Sequence, residues 1–168
     1  GWIDRGDPVR LDGTTWIPET DPLFATIEEV ADFCAAATAR LGVPPVTVRA
    51  RRGATRAEYL DGEIRVPPLD VGGAWAMRGL VVMHELAHHL DGLDGDVSGI
   101  PPMSDPRAER DWYRVTEAHF LELVGRVRRG EATLLDRYGA TDRVEFFAVA
   151  TECFFERPHD MREQHPQL

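Results

Sequence analysis

The stretch Val81–Asp91, "VVMHELAHHLD", sets His84, Glu85, His88 and His89 within six residues behind an apolar run. The preceding "AWAMRGLVVM" and the interposed Leu86 and Ala87 are almost wholly apolar, which predicts a buried helix from about Trp75 to Leu90. Histidine and glutamate on such a helix need partners, because an unsatisfied polar group costs free energy away from water. His84 and His88, four residues apart, lie on one helical face with Cβ atoms roughly 5–6 Å apart. That spacing suits one metal ion: zinc–nitrogen bonds of about 2.0–2.1 Å let both imidazoles meet at a tetrahedral centre, leaving room for a third protein ligand and a water. Glu85 is turned about 100° round the helix, where it can reach that water without replacing it and act as general base. Asp91 follows His88 by three residues on the same face. It is placed to accept the free ring N–H of a ligand histidine, or to serve as a plain helix-end carboxylate. His89, on another face, reads as an ordinary, partly exposed histidine.

Outward from the motif, 168 residues of which 43% are hydrophobic predict one domain, residues 1–168, with a single core. Residues 1–20, rich in Gly, Pro and Asp, suit an extended arm pinned by Trp2, Trp16 and Ile17. Asp21-Pro22 and the spacing from Phe24 to Leu41 predict a helix stopped by Gly42. "PVTVRAR" alternates as a strand, and "AEYL" and "EIRVP" flank an Asp61-Gly62 turn, the signature of a tight hairpin. Asp105-Pro106 opens a helix to about Arg129, and a last helix, about Val144 to Glu156, ends at Pro158. The expected fold is therefore α+β: a small mixed sheet with a hairpin, then the motif helix and two further helices.

The net charge is −10 and all nineteen basic residues are arginines that form no stripe, which argues against nucleic acid or an anionic membrane as partner. No apolar run approaches the length of a membrane span. Cys34 and Cys153 stand far apart inside helical patterns and read as two buried thiols in a reducing, cytoplasmic setting. "DGDVSGIPPMSD", from Asp94 to Asp105, spaces Asp94, Asp96, Ser98, Gly99 and Asp105 like a calcium loop. Pro101, Pro102 and a terminal Asp in place of Glu speak against that, and the loop reads instead as the border of a cleft.

Three residues downstream can complete the site: His119, Glu145 and Glu152. His119 sits on an apolar helix and would make a three-histidine site. Glu145 and Glu152, seven apart, share one face of the last helix, a face otherwise apolar or small. Asp142-x-x-Glu145 is also a capping-box pattern that could turn Glu145 back to the helix start, and Glu152 could pair with an arginine. Spacing alone leaves these open.

"HELAHHLD", "SGIP" at Ser98–Pro101, "LLDRYGATDRVEFFAVATECFFERP" from Leu134 to Pro158 and the closing "HPQL" resemble the MtfA family of zinc metallopeptidases. The resemblance covers the C-terminal half and implies a zincin-like fold of gluzincin type, one zinc ion, Glu145 as the third ligand and Tyr138 as the active-site tyrosine. Glu152 and Asp91 then become supports of the ligands. "VTVRARRGATRAEY" and "WAMRGLVVMHELAHHLD" look closer to uncharacterised actinobacterial metallohydrolases, and the family's transcriptional-repressor partner is not carried over to this chain. The function expected is a zinc-dependent peptidase acting on a peptide or protein substrate, with Glu85 as base, Tyr138 assisting at the oxyanion and a sheet edge receiving an extended peptide. The competing readings are a zinc-stabilised regulatory module that binds a protein partner, and a metallohydrolase of a non-peptide amide.

Overall fold

In the computed structural model, residues 9–11, 14–16, 23–69 and 77–168 are described. They belong to two units, Gly1–His89 and Leu90–Leu168, whose boundary falls within one helix.

The first unit begins with a pair of short antiparallel strands, β1 (Val9–Leu11) and β2 (Thr14–Trp16). Trp2 and Ile17, expected to pin an arm, lie outside the described residues. The strand β3 (Leu23–Phe24) pairs antiparallel with β7 (Met77–Arg78). This pairing takes Phe24 out of the helical run in which its spacing had placed it. The helix α1 (Ile27–Leu41) starts instead at Thr26, whose hydroxyl accepts from the Glu29 amide at 3.2 Å while Glu29 accepts from the Thr26 amide at 3.1 Å. This reciprocal box satisfies two amides that no turn of helix can reach. Asp21 and Pro22, the expected start, lie outside the described residues. Val30, Phe33, Cys34 and Ala37 form the buried stripe, with the Phe24 and Phe33 rings 5.3 Å apart.

Next come β4 (Thr47–Ala50), β5 (Glu58–Leu60) and β6 (Glu63–Val66), with β6 central, parallel to β4 and antiparallel to β5. The hairpin is the one the sequence predicts: Asp61 (φ 51°) and Gly62 (φ 79°) both adopt the left-handed conformation that a two-residue primed turn requires. Ile64 and Val66 are fully buried on one face of β6, as strand alternation demands. The motif helix α2 (Gly79–Asp91) is shorter than the expected Trp75–Leu90, because Met77 and Arg78 are spent on β7.

In the second unit, α3 (Pro106–Arg128) opens as expected, with Asp105 accepting from the Arg107 amide at 2.8 Å and Pro106 at the first position. A 3-10 turn (Arg137–Ala140) leads into α4 (Arg143–Glu156), which Asp142 caps. Pro158 ends α4 and also opens a further short helix, α5 (Pro158–Gln164), which the sequence reading did not include. A proline that cannot continue one helix is well suited to the first position of the next, where its missing N–H is not needed. Phe120 and Leu123 of α3 pack with Phe146 and Val149 of α4, and Met161 of α5 belongs to the same core.

The architecture is thus α+β, with a three-stranded mixed sheet and five α-helices among the described residues, compatible with a zincin-like fold. Cys34 and Cys153 are free and buried, and burial pushes the thiols up to about 12 and about 11. Among the described residues no helix is long and apolar enough to cross a membrane.

Candidate metal centre

Along α2, Val82, Leu86 and Ala87 are almost completely buried, so the motif is held by packing rather than by exposed polar pairs. His88 and Glu85 are buried as well, and His84 is half-buried. The His84 and His88 rings lie 4.7 Å apart at 85°, as the i, i+4 spacing requires. His89 corrects the reading of an ordinary, partly exposed histidine, since it is only 5% exposed. Its Nε2 lies 2.9 Å from the Pro44 carbonyl oxygen and its ring meets the edge of Tyr59 at 5.7 Å. The face of α2 that carries His89 packs against Pro44 and Tyr59 in the first unit. His89→Ala should therefore cost about 2–3 kcal/mol of stability, from lost packing and one hydrogen bond, while leaving metal content unchanged. Urea unfolding together with metal analysis checks this.

Asp91 closes α2, fully buried. Its Oδ2 accepts from the Gly99 amide at 2.7 Å. Burial raises the carboxyl above its ordinary range, and hydrogen bonds from the Gly99, Ile100 and Ser98 amides act in the opposite sense. The loop after α2 is thereby tied to the end of the motif helix. In this loop Asp94 accepts from the Asp96 amide at 3.1 Å, so carboxylates that suggested a calcium loop serve the backbone: Asp94 a turn, Asp105 the start of α3.

In the second unit, Asp142 Oδ1 accepts from the Glu145 amide at 2.9 Å, the first half of the capping box that the sequence suggested. The Glu145 side chain takes another partner: its Oε1 accepts from the Tyr138 hydroxyl at 3.1 Å. Tyr138 is presented by the 3-10 turn, where Asp136 accepts from its amide at 2.8 Å, and is 47% exposed. Gly139 next to it packs so closely that a Cβ would stand 3.2 Å from Val149 and 3.3 Å from Leu123. The remaining candidates lie elsewhere. His119 Nδ1 sits 2.9 Å from its own helix's Val115 carbonyl, and its ring meets His165 at 5.3 Å. Glu152 lines a cavity of about 600 Å³ between the 130–137 segment and α4.

Among the described residues, one group of histidine and acidic side chains could hold a metal ion: His84, His88 and Glu145, whose ligand atoms all lie within 4.8 Å of one another. Two imidazoles and a carboxylate form a mixed nitrogen and oxygen donor set, which suits a divalent transition metal. His119 and Glu152 are outside the group.

Residues 69–168 match the family described as glucose-regulated metallo-peptidase M90. The chain belongs to this family. The M90 segment takes in α2, α3, α4 and α5, and so holds all the residues of the candidate centre. The chain is similar to Mlc titration factor A of Escherichia fergusonii, 37% identical over 94 residues (52% of this chain, 34% of that protein). To Mlc titration factor A of Salmonella arizonae it is 35% identical over 117 residues, 66% of this chain and 45% of that protein. An uncharacterized protein of Synechocystis sp., slr2042, is 36% identical over 88 residues, 52% of this chain and 32% of that protein. The chain thus spans less than half the length of these relatives.

Three features near the centre escaped the sequence reading: the Gly99 contacts, the Trp112 indole N–H donated to the Gly99 carbonyl at 3.3 Å, and the Arg143 to Glu117 ion pair, with both bonds at 2.7 Å. Each joins residues distant in sequence, and only the isolated glycine before "IPP" hinted at a special backbone.

Proposed function

We propose that the chain is a zinc-dependent peptidase in which His84, His88 and Glu145 hold one zinc ion, Glu85 is the general base and Tyr138 assists. What supports this reading above all is the grouping of those three ligand atoms within 4.8 Å, with Glu85 beside the first histidine in the H-E-x-x-H spacing. The donor set fits zinc: neutral imidazole nitrogens and a carboxylate oxygen are the ligands it takes in three-ligand catalytic sites. When bound, zinc supplies Lewis acidity that polarises a carbonyl and lowers the pKa of water.

The protein side of the chemistry is proton management. The Glu85 carboxylate accepts a proton from the attacking water and returns it to the departing amide nitrogen, so that a poor leaving group departs as an amine. Glu85 is buried on α2, next in sequence to the first histidine. The Tyr138 hydroxyl, which donates to Glu145, would turn towards the oxyanion that develops as water adds. Asp91, at the end of α2, would support the histidine ligands, whereas Glu152 lines the cavity beside the 130–137 segment. A peptide in extended form would add to an edge of the sheet β4–β6–β5. The cytoplasm is the proposed setting, in line with two free cysteines.

Tyr138→Phe should lower kcat by about 10²-fold and leave KM and zinc content nearly unchanged, the loss expected for one oxyanion donor. Steady-state kinetics on any accepted peptide checks it, and an unchanged kcat removes Tyr138 from the mechanism. A second reading takes its support from the name Mlc titration factor A, which describes those relatives as titrating Mlc, and takes this chain to bind a protein partner. In that reading zinc stabilises a binding module and no bond is cut. A screen of peptides and small amides, with and without chelator, distinguishes peptidase, amide hydrolase and binding module.

A further inference from the structure

We propose that Gly99 is a positioning residue for Glu145, acting as the pivot of a latch that sets the first turn of α4; this rests on the reading of Glu145 as a metal ligand. Four contacts converge on this glycine or its immediate neighbour. Its amide donates to buried Asp91 at 2.7 Å, which fixes it to the end of the motif helix. Its carbonyl accepts from Trp112 Nε1 of α3 at 3.3 Å. Its Cα lies against the backbone of Arg143, so closely that a Cβ would stand 2.4 Å from the Arg143 carbonyl oxygen and 2.7 Å from the carbonyl carbon. Arg143 is the first residue of α4, two before Glu145, and its guanidinium is bound through two nitrogens to Glu117 of α3, an ion pair that holds the Glu117 carboxyl below its ordinary range.

Together these contacts leave the start of α4 little freedom. The Arg143 backbone is pressed by the loop from one side and its side chain is drawn to α3 from the other. A shift of a few tenths of an ångström at Arg143 passes along the rigid helical turn to the Glu145 carboxylate, and outer contacts of this kind commonly change metal affinity by about 10–100-fold.

Gly95 supplies an internal control. It lies in the same loop with φ 92°, against 81° for Gly99, but a Cβ there meets nothing within 4 Å. Gly95→Ala therefore imposes left-handed strain alone, whereas Gly99→Ala adds displacement of Arg143. The experiment measures zinc affinity by chelator competition and the melting temperature of zinc-free protein for both variants. Expected for Gly95→Ala is a melting point lower by roughly 2–4 °C with wild-type zinc affinity. Expected for Gly99→Ala is zinc affinity about 10–100-fold weaker, with the protein still folded. Wild-type affinity in folded Gly99→Ala, or equal weakening in both variants, overturns the latch. Should Gly99→Ala fail to fold, Trp112→Phe deletes the indole donor while keeping an aromatic ring at the position that meets Phe147: zinc binding about threefold or more weaker supports the latch, and unchanged affinity rejects it. If Glu145→Ala binds zinc as tightly as the wild type, the ligand assignment itself has failed, an outcome read from a different variant and so kept apart from failure of the latch.

Discussion

Glu85→Gln is expected to retain one zinc ion and its fold while losing hydrolysis by about 10²–10⁴-fold in kcat/KM, the range that a positioned general base contributes. Glutamine matches glutamate in size, so the tightly packed site around this buried residue is undisturbed, and the uncharged amide cannot take a proton. The measurement pairs metal analysis with peptide hydrolysis. Zinc retained with cleavage at the wild-type rate would reject the mechanism. Zinc lost from the variant would instead show Glu85 to be a ligand.

Glu145→Ala should lose zinc outright at micromolar metal, since removal of one of three protein ligands ought to weaken binding by more than the roughly 10–100-fold seen for outer contacts. Glu152→Ala and His119→Ala should keep it, the first because its side chain lines the cavity beside the 130–137 segment, the second because its ring is engaged by Val115 and His165. Melting gives an independent reading. At a free zinc concentration of about 100 times the dissociation constant, binding adds about 2.7 kcal/mol to the stability of the folded state. The wild-type melting temperature should therefore rise with zinc, and that of Glu145→Ala should not. Full zinc in Glu145→Ala would return the third-ligand question to Glu152 and His119.

Much of this organisation could be read from the chain. The i, i+4 pair His84 and His88 needs only helical periodicity, and the Asp61-Gly62 hairpin and the Asp105-Pro106 helix start need only local turn and cap chemistry. Local chemistry failed where a competing partner was distant. Phe24 has helical spacing relative to α1, yet β3 pairs with β7 more than fifty residues on and claims it. His89 lies off the ligand face of α2 and reads as partly exposed, because nothing in "AHHLD" announces that Pro44 and Tyr59 will cover it. The third ligand was a choice among three residues on grounds of spacing, and a resemblance favoured Glu145. The grouping of its carboxylate with the two imidazoles is a tertiary fact that no periodicity contains. Gly99 is similar: its φ of 81° suits many loops, but its contact with Arg143 exists only once α4 is in place.

Gly139 bears on how this protein could be re-engineered. With Val149 and Leu123 already at contact distance from any added methyl, the position is a mutational bottleneck, and the Tyr138 carried beside it inherits a fixed address. The neighbouring segment from Glu131 to Arg137 lines the 600 Å³ cavity and includes exposed side chains such as Glu131 and Asp136. A combinatorial library confined to 131–134 and 137, with Leu135, Asp136 and Gly139 held constant, would diversify the cavity wall while sparing the buried Leu135 and the tyrosine's seat. Such a library should yield a high fraction of folded members.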